Sequence, residues 1–583
     1  PNSPINSATG LPVPTIAVAT NGGVCVIKDD GTVIDKVTTD AATYSATVDF
    51  TTDGYIIVTR NNYSYYVITD LTTASAAHPS GWPSINYFRS NVVATPGPNG
   101  PPSNPHGDQG YGLANKAISL DSTNTASADT YGLNVFDINR NIPSTSNSVA
   151  YITSSYNTGW MNGDIKLATL SDTDTTNLGT ELVTNGTFTS DVSGWNAEGS
   201  FASFSSVSGQ AVLVQDSNSN SYWTYQEVTV VPGKSYRVSI DVISITNTSY
   251  FRIGASGGGS NTYASYDSIP AGTGHTRTFT VPAGVTSVFI NVGVTISGTI
   301  VFDNVSMKED AADRSVNGNG LQVFGTVTKT AVATGAELMG YSGFSSSNYL
   351  RQPYNTALNF GTGSYTVMGW FKTDATNSTG IITQNGPSDT DENLIVYIAP
   401  ANYGIYFDYG VGNQYSHLSQ ATDRALIANT AWHHFVCHVS AGGAPKIYVD
   451  GVDKALTVVG NAPSTFTFDT DYLLNIGNGR GTDNNLPFGG SIALLRISAT
   501  VPSSEQIKKI YNDEKFLFQE NAKATLYGSS DAVTALAYDD DTELLHAGTS
   551  AGRSVFQGLR RIDNTTDAVG AAISASNGMV AED

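Results

Sequence analysis

A short hairpin pattern recurs near both ends of the chain and constrains its fold more than any other feature. Each copy has an apolar strand, a polar turn, and then a glycine followed by a second strand in which apolar and polar residues alternate. The copies begin at Thr15, Ala46, Lys116, Ser148 and Ala532. Alternation with a period of two is typical of strands with one buried face. Repeats of this kind favour the blades of a β-propeller, although a set of unrelated hairpins would give the same pattern.

The repeats at the two ends are separated by sequence of a different character. The last copy contains the stretch GTSAGRSVF at residues 548–556, which resembles the blade signature of bacterial sensor-type β-propellers. We therefore expect residues 1–177 and 519–583 to belong to one interrupted propeller-like domain that the C-terminal segment closes. Such a domain accepts insertions where the two ends of the insert lie close together at a surface loop.

The composition favours strands and argues against two kinds of partner. Only 13% of the 583 residues are charged, and 58 are glycine and 30 tyrosine; ordinary soluble domains have about 25% charged residues. Acidic residues outnumber basic residues by 50 to 28, so the formal net charge is −22. This charge repels nucleic acid and anionic membranes, since phosphate binding requires lysine and arginine. We expect no nucleic-acid partner and, because no run of about 18 apolar residues occurs, no membrane insertion.

The two cysteines and the start of the chain say little about location. Cys25 and Cys437 lie in apolar, strand-like runs, which favours buried free thiols over a disulfide. No charged and then apolar leader is visible at the start, and Pro1 is an unusual native start, so we expect a soluble chain from which an upstream stretch is missing or processed.

Residues 178–309 form the first inserted segment. It opens with ELVTNGTFTSDVSGWN, continues through YWTYQEVTVVPGKSYRVSIDVISI and ends with TIVFDNVSM. These motifs are similar to those of carbohydrate-binding modules with a galactose-binding-like jelly roll. Tyr236, Val238, Ile240 and Val242 alternate with polar residues, as a half-buried strand requires. The residues and the resemblance both predict a β-sandwich.

Residues 310–518 form the second inserted segment. The motifs YTVMGWFKT, TAWHHFVCHV and PKIYVDGV follow one another in order, and the segment resembles concanavalin-A-like, laminin-G-like jelly rolls. Asp450 and Gly451 predict a hairpin turn. A helix is expected to close the segment, because Ser503 and Gln506 form a capping box ahead of an apolar helix face.

Aromatic residues in the first inserted segment are the candidate sugar-binding residues. Sugars present apolar C–H faces, and binding faces of such modules are concave and lined by aromatic rings. Within YWTY, Trp223 and Tyr225 share one face of a strand and Tyr222 points to the other. Tyr250 and Tyr263 follow on later strands. The alternative is that Trp223 belongs to the core, as large aromatic residues usually do.

The resemblance to carbohydrate-binding modules also implies a structural calcium ion between the opening turn and the closing strand. The matching positions are Asn185, Thr189 and Asp303. Thr189 stands where the family often has glutamate, and a hard cation prefers the missing carboxylate. The alternative is a turn-capping Asn185 and a solvated Asp303.

Two loops and a histidine cluster in the second inserted segment are weaker candidates. The loops at residues 388–393 (SDTDEN) and 477–485 (GNGRGTDNN) contain oxygen ligands for a sugar or a cation, but polar surface turns have the same composition. His434 and His438 share one strand face and His433 opposes them, without an acidic or cysteine partner at zinc spacing. We interpret the histidines as core and edge residues.

The sequence predicts no enzyme. Glucanases of the concanavalin-A-like fold place two carboxylates on one strand, and the corresponding Glu-x-Asp-x-x-Glu pattern is absent here. Neither G-x-S-x-G, nor H-E-x-x-H, nor a P-loop is present.

An interrupted propeller with two sugar-binding-type sandwiches resembles structural tail proteins of bacteriophages. Residues 313–528, from DRSVNGNGLQVFGTVTK through ISATVPSSEQIKKIYNDEKFLFQENAKATLYG, resemble the laminin-G-like segment of marine phage tail or fibre proteins. This resemblance implies a protein of the virion tail that binds host surface polysaccharide or lipopolysaccharide, contacts other tail proteins and assembles as a homo-oligomer. Two alternatives stay open: a secreted bacterial adhesin located outside the cell, and a glycan-acting enzyme with a propeller pocket.

Overall fold

The computed structural model describes residues 4–20, 23–37, 45–50, 56–60, 64–68, 116–119, 124–129, 132–137, 148–198, 203–215, 222–258, 262–282, 284–294, 297–315, 317–373, 380–385, 394–399, 402–409, 414–460, 473–479, 486–539, 541–568, 573–576 and 579–582. Antiparallel sheets make up nearly all of the regular structure in these residues. The all-β fold class expected from the sequence is confirmed. Among the described helices, none has both the length and the apolar character needed to cross a membrane.

The N-terminal part consists of antiparallel meanders, within which each strand pairs with the next, and of one further strand at its end. Its strands are β1 (Ile16–Thr20), β2 (Gly23–Ile27), β3 (Val33–Val37), β4 (Ser45–Phe50), β5 (Ile56–Arg60), β6 (Ser64–Ile68), β7 (Lys116–Ser119), β8 (Asn124–Asp129), β9 (Gly132–Asp137), β10 (Ser148–Ile152), β11 (Met161–Asn162) and β12 (Ile165–Thr169). Strands β1 to β3, β4 to β6 and β7 to β11 form three separate sheets. Strand β1 contacts β4, and β4 contacts β7.

The first sandwich, residues 178–309, packs two five-stranded sheets face to face. Its strands are β13 (Asn196–Glu198), β14 (Ser203–Val207), β15 (Gln210–Val214), β16 (Tyr222–Thr229), β17 (Ser235–Ile245), β18 (Ser249–Gly254), β19 (Thr262–Tyr266), β20 (Gly272–Thr280), β21 (Ser287–Val294) and β22 (Thr299–Glu309). The sheet orders are β13-β16-β21-β18-β19 and β14-β15-β22-β17-β20. The alternating apolar residues of β17, Tyr236 to Val242, are buried in the core between them, as the sequence pattern predicts.

The second sandwich, residues 310–518, packs two larger sheets. Its elements are β23 (Gln322–Phe324), β24 (Thr328–Ala331), β25 (Met339–Ser342), β26 (Tyr349–Gln352), β27 (Tyr365–Thr373), β28 (Gly380–Asn385), β29 (Leu394–Ala399), β30 (Gly404–Asp408), β31 (Tyr415–Leu418), α1 (Ala421–Leu426), β32 (His433–Val439), β33 (Pro445–Val449), β34 (Val452–Asp453), β35 (Leu456–Val459), β36 (Leu474–Ile476), β37 (Gly490–Ser498) and α2 (Ser504–Glu514). We call β23-β26-β36-β28-β29-β30-β31-β35 the front sheet and β24-β25-β37-β27-β32-β33-β34 the back sheet.

Helix α2 starts with the capping box that the sequence predicts. The Ser503 hydroxyl accepts a hydrogen bond from the Gln506 backbone N–H at 3.2 Å, and the Gln506 side-chain oxygen accepts one from the Ser503 N–H at 2.9 Å. Ile507 and Ile510 are buried under the helix. A 3-10 turn, Lys515–Phe518, continues the chain away from it.

Strand β12 belongs to the second sandwich, although the sequence assigned residues 1–177 to the propeller-like domain. It pairs with β37 and extends the back sheet. Leu167 and Leu170 are buried in the core of that sandwich. The alternating pattern of β12 fits an edge of either sheet, so the sequence alone did not reveal its partner. The structural boundary therefore lies ahead of β12.

The C-terminal part returns to the N-terminal meanders. Its strands are β38 (Val533–Asp539), β39 (Leu544–Thr549), β40 (Gly552–Gln557), β41 (Arg560–Thr565), β42 (Ile573–Ser576) and β43 (Met579–Glu582). Strand β38 contacts β7, and one core contains Leu133 and Ile152 together with Leu545 and Phe556. The first strands β1, β4, β7 and β38 therefore contact one another in order, as in adjacent propeller blades. Closure into a complete propeller stays a prediction.

A buried ion pair on the outer side of the back sheet connects the N-terminal part to the second sandwich. Arg496 of β37 and Glu514 of α2 have no exposed side-chain surface, and two guanidinium nitrogens donate to the two carboxylate oxygens at 2.5 and 3.0 Å. The backbone N–H of Trp160 and the indole N–H of Trp370 also donate to Glu514, at 2.8 and 2.7 Å. One carboxylate thus holds together three segments that are distant in sequence.

Candidate carbohydrate-binding site

One sheet of the first sandwich, β13-β16-β21-β18-β19, has a face that is turned away from the core. Val228 of β16, Ile290 of β21 and Phe251 of β18 point into the core. Successive side chains of a strand point to opposite faces, so Trp223 and Tyr225 lie on the outer face of this sheet. We call this surface the outer face of the first sandwich.

Trp223 forms the floor of this face. Its register partner on β21 is Gly293, which in turn pairs with Tyr250 of β18. A Cβ atom on Gly293 would lie 2.6 Å from the indole, so the ring lies directly over the glycine backbone. The Trp223 and Tyr250 rings are 5.4 Å apart at an angle of 32°. Trp223 is 8% exposed, whereas Tyr250 is half-buried.

A second row of side chains lies beside the first. Tyr225 pairs with Asn291, and Asn291 pairs with Arg252. The Arg252 guanidinium lies 5.2 Å from the Trp223 ring centroid and 4.7 Å from that of Tyr250, a cation–π arrangement. Its Nε donates to a carboxylate oxygen of Asp267 at 2.7 Å. The face therefore combines half-exposed tyrosine rings with a guanidinium, whereas the Asn291 side chain is fully buried.

Tyr225 is held at the edge of the face by close packing. Its ring lies 5.7 Å from that of Phe289, the next residue on this side of β21. A Cβ atom on Gly257 would lie 2.7 Å from the Tyr225 ring, so the loop after β18 approaches the ring with no room for a side chain. This contact orients the ring ahead of any ligand, which lowers the entropy cost of binding.

A shallow groove continues the face beyond the end of β13. It has a volume of about 340 Å³ and lies beside Gln226–Thr229 of β16. Thr184 lines the groove as well, and the Gln226 amide holds it in place. The amide accepts from the Thr184 N–H at 2.7 Å and donates to the Thr184 carbonyl at 2.8 Å. Glu227, two residues after Tyr225, is exposed next to the groove.

Tyr263 lies elsewhere, although the sequence grouped it with the other three aromatic residues. It packs against the core, and its ring is stacked 6.2 Å from Phe279 of the opposite sheet at 11°. The register of β18 and β19 shifts between Ile253 and Gly254, and a one-residue shift moves a side chain to the other face. The structure thus brings together Trp223, Tyr225 and Tyr250 but not Tyr263.

The two residues matched to a calcium site, Asn185 and Asp303, make hydrogen bonds within their own turns. The Asn185 amide nitrogen donates to the Asp191 carbonyl and carboxylate, each at 3.0 Å, and to the Ser193 carbonyl at 3.1 Å. A carboxylate oxygen of Asp303 accepts from the Asn304 N–H at 2.7 Å. Asn185 thus caps the turn at Asp191 and Ser193, as in the alternative interpretation, and Asn185 and Asp303 have separate partners. Over the described residues, no cluster of three histidine, cysteine or acidic side chains suits a metal.

Comparisons with known proteins identify the second sandwich. Residues 344–508 match the family model of the concanavalin A-like lectin/glucanases superfamily. Because of this similarity, we call the second sandwich the lectin domain. A comparison with curated proteins gives no match.

Three solved structures match parts of this chain at low identity. One, entitled "CBM4 structure and function", is 17% identical, covering 22% of this chain and 99% of its own, with a TM-score of 0.20. The Botulinum neurotoxin serotype D ligand binding domain in complex with N-acetylneuraminic acid is 16% identical over 42% of this chain and 58% of its own, TM-score 0.28. The Ruminococcus gnavus IT-sialidase CBM40 bound to α2,6-sialyllactose is 13% identical. The match covers 26% of this chain and 85% of the CBM40 chain, with a TM-score of 0.19. This chain spans about three fifths of the matched toxin binding domains.

The loop candidates of the lectin domain fall mostly outside the described residues. Residues 388–393 and 480–485 are not described. The described residues 477–479 follow the end of β36, and the Asn475 amide nitrogen donates to the Gly479 carbonyl at 3.3 Å.

The three histidines of β32 are held within the lectin domain. His434 and His438 lie on the side of the strand that faces α2, and His433 lies on the other side, as alternation predicts. A His433 ring nitrogen lies 2.9 Å from a carboxylate oxygen of Asp450. The His434 ring packs between Trp370 at 5.3 Å and Tyr511 at 6.3 Å.

Burial makes His434 sensitive to acid. Neither ring nitrogen of His434 has a hydrogen-bond partner within the described part of the chain. Burial, with the nearby Arg496 as a second cause, lowers the pKa of His434 to about 3, and burial lowers the pKa of His438 to about 4. Both rings therefore stay neutral in the folded protein at pH values at which histidines of the unfolded chain are protonated.

Acidification is expected to destabilise the protein through His434. Because the folded pKa lies below the unfolded value, this contribution to stability is present above about pH 6.5 and is lost as the pH falls towards 3. Between pH 7 and 5 the loss is about 2 kcal/mol for His434 alone. His434→Phe keeps an aromatic ring and removes the titrating group. Between pH 7 and 5, the free energy of unfolding of this variant should therefore fall by about 2 kcal/mol less than that of the native chain. Urea unfolding at pH 7 and pH 5 measures both proteins, and an equal pH dependence would contradict the assignment.

Proposed function

We propose that this chain is a structural protein of a bacteriophage tail or fibre, and that it binds a host surface glycan through the outer face of the first sandwich. The observation that carries the glycan part is the juxtaposition of Trp223, Tyr250 and Arg252 on a sheet face turned away from the core. Core-facing aromatic residues would serve packing alone. An aromatic cluster on a face turned away from the core supports a binding role for that face.

The chemistry of this face suits a sugar ring. Tyr250 and Tyr225 offer half-exposed rings against which the apolar C–H face of a sugar can stack, contributing on the order of 1 to 2 kcal/mol for each ring by area buried. Arg252 and Glu227 can donate to and accept from hydroxyl groups at the rim. Trp223 supports both Tyr250 and Arg252 from below.

The resemblance of residues 313–528 to phage tail proteins supports the tail assignment. The ligand class is then the polysaccharide or lipopolysaccharide of the host envelope, and other tail proteins are the protein partners. Sugar sites of about millimolar affinity become effective when several engage at once, so we propose a symmetric homo-oligomer. The proposed role is binding without catalysis.

Particle composition tests the tail assignment. Antibodies raised against the whole chain should detect it in purified phage particles at a fixed stoichiometry and label the tail in electron micrographs. Finding the chain free in the culture medium and absent from particles would contradict the assignment and favour a secreted adhesin. Release of reducing ends from a glycan by the purified chain would contradict the non-catalytic role.

A further inference from the structure

The first meander, which consists of β1 to β3, has two unlike sides. On its inner side, Val24, Val26 and Ile34 are buried and pack against Val48 and Phe50 of β4. Successive side chains of a strand alternate between the two sides of a sheet, so the neighbours of these residues point the other way. We call that other surface the outer side of the first meander.

The outer side of the first meander is apolar and exposed. Ile16 pairs with Ile27, and Ile27 pairs with Val33, so these three residues form one row across the three strands. Val18 pairs with Cys25 in the next row. All four aliphatic side chains of the two rows are exposed. A contiguous group of exposed aliphatic side chains is typical of an interaction surface.

The first meander stands at one end of a series of units that pack on one another. Strand β1 contacts β4, β4 contacts β7, β7 contacts β38, and β38 contacts β42. The hairpin of β42 and β43 is therefore at the other end of the series. A unit inside such a series is covered on both sides, as a blade within a propeller is. The first meander is covered on its inner side, and its outer side is exposed.

The apolar character of this outer side indicates that the series continues beyond the first meander. Where a series of repeated units ends in solvent, the end unit needs a polar outer surface. Here the end unit has an aliphatic one, and its side chains remain exposed in the folded chain. The next unit therefore comes from another chain. The β42–β43 end of a second copy continues the same kind of contact, because it is the opposite end of the same series.

We propose that the outer side of the first meander is an assembly interface, on which the β42–β43 end of a second copy of this chain packs. Such a head-to-tail contact, repeated from copy to copy, closes a ring when the rotation between copies allows it. The proposal rests on the proposed function for the homo-oligomer and adds the surface that forms it. Aliphatic side chains suit a protein partner, because charged residues are depleted at the centre of protein interfaces.

The thiol of Cys25 reports on this interface in the native chain. The sequence predicted a buried thiol, but Cys25 is only half-buried, because its side chain lies on the outer side with Val18. Cys437 is fully buried and serves as an internal reference that stays unlabelled in the folded chain. Labelling with N-ethylmaleimide, followed by mass spectrometry of the digested protein, gives the reaction rate of Cys25. This rate should fall more than tenfold when the chain assembles at increasing concentration.

Val33→Asp places a carboxylate in the proposed interface and tests it directly. Burial of an unpaired charge is costly, so this variant should associate at least tenfold more weakly in sedimentation velocity experiments. Its Cys25 should stay reactive at concentrations at which that of the native chain is protected. Val207→Asp is the matched control, because Val207 at the end of β14 is 53% exposed and Val33 is 55% exposed. Both variants change an exposed side chain and should keep the native melting temperature.

Sedimentation and labelling together separate the inference from the proposed function. Assembly that protects Cys25 and is weakened by Val33→Asp but not by Val207→Asp supports the interface. If the assembled chain has a reactive Cys25, or if the two variants associate equally, the inference is overturned and the proposed homo-oligomer stands. A monomeric native chain overturns the inference and contradicts the homo-oligomer. In that case a protected Cys25 would show that the C-terminal hairpin of the same chain covers the outer side.

Discussion

Glu514→Ala is expected to lower the free energy of unfolding by about 3 to 5 kcal/mol, because removing one partner of a buried ion pair leaves the other charge uncompensated. Arg496 would lose both carboxylate bonds in a site without exposed side-chain surface. The N–H groups of Trp160 and Trp370 would lose their acceptor as well. Urea unfolding followed by tryptophan fluorescence measures the change.

Two further variants show whether the effect comes from the ion pair. Glu520→Gln removes an exposed carboxylate close to the same helix and should change the stability by less than about 0.5 kcal/mol. Arg496→Met combined with Glu514→Leu replaces both charges by apolar groups and should recover most of the loss, as buried pairs often allow. A double variant as unstable as Glu514→Ala would contradict the account of an uncompensated charge.

Trp223→Ala is expected to affect both stability and glycan binding. The ring lies outside the core of the first sandwich yet is 8% exposed, since Gly293, Tyr250 and Arg252 surround it. Its removal should cost about 3 kcal/mol, the lower end for a buried tryptophan. Glycan affinity should fall more than tenfold, because Tyr250 and Arg252 lose the ring that positions them. A melting curve and a binding isotherm measure the two effects.

Trp195→Ala is the matched control for Trp223→Ala. Trp195 is also 8% exposed, but it packs in the core, 5.4 Å from the ring of Phe188. This variant should lose a similar stability and retain the native affinity at a temperature where it is folded. Equal loss of affinity in both variants would show that binding depends only on an intact sandwich.

Sequence patterns predicted the elements whose partners are local. Alternation predicted the buried side of β17, and the Ser503–Gln506 capping box predicted the start of α2. The grouping of Trp223 with Tyr225 followed from the period of two. In each case the physical signal lies within a few residues of the chain.

Features that depend on strand order could not be predicted in the same way. The bulge between Ile253 and Gly254 places Tyr263 on the core side of the sheet. Strand β12 pairs with β37, which lies more than 300 residues away in the sequence. Arg252 was missed, although its position two residues after Tyr250 placed it on the same face. No sequence pattern indicated a role for Gly293, because only the pairing of β16 with β21 brings it under the Trp223 ring.

The binding isotherm of Tyr225→Ala/Tyr250→Ala tests the central claim most directly, because both rings are half-exposed on the outer face and their loss should change the melting temperature little. Titration of the native chain with host surface polysaccharide or lipopolysaccharide should give saturable binding, and the variant should bind more than tenfold more weakly. An isotherm of the variant that superimposes on that of the native chain would contradict glycan recognition by the outer face of the first sandwich.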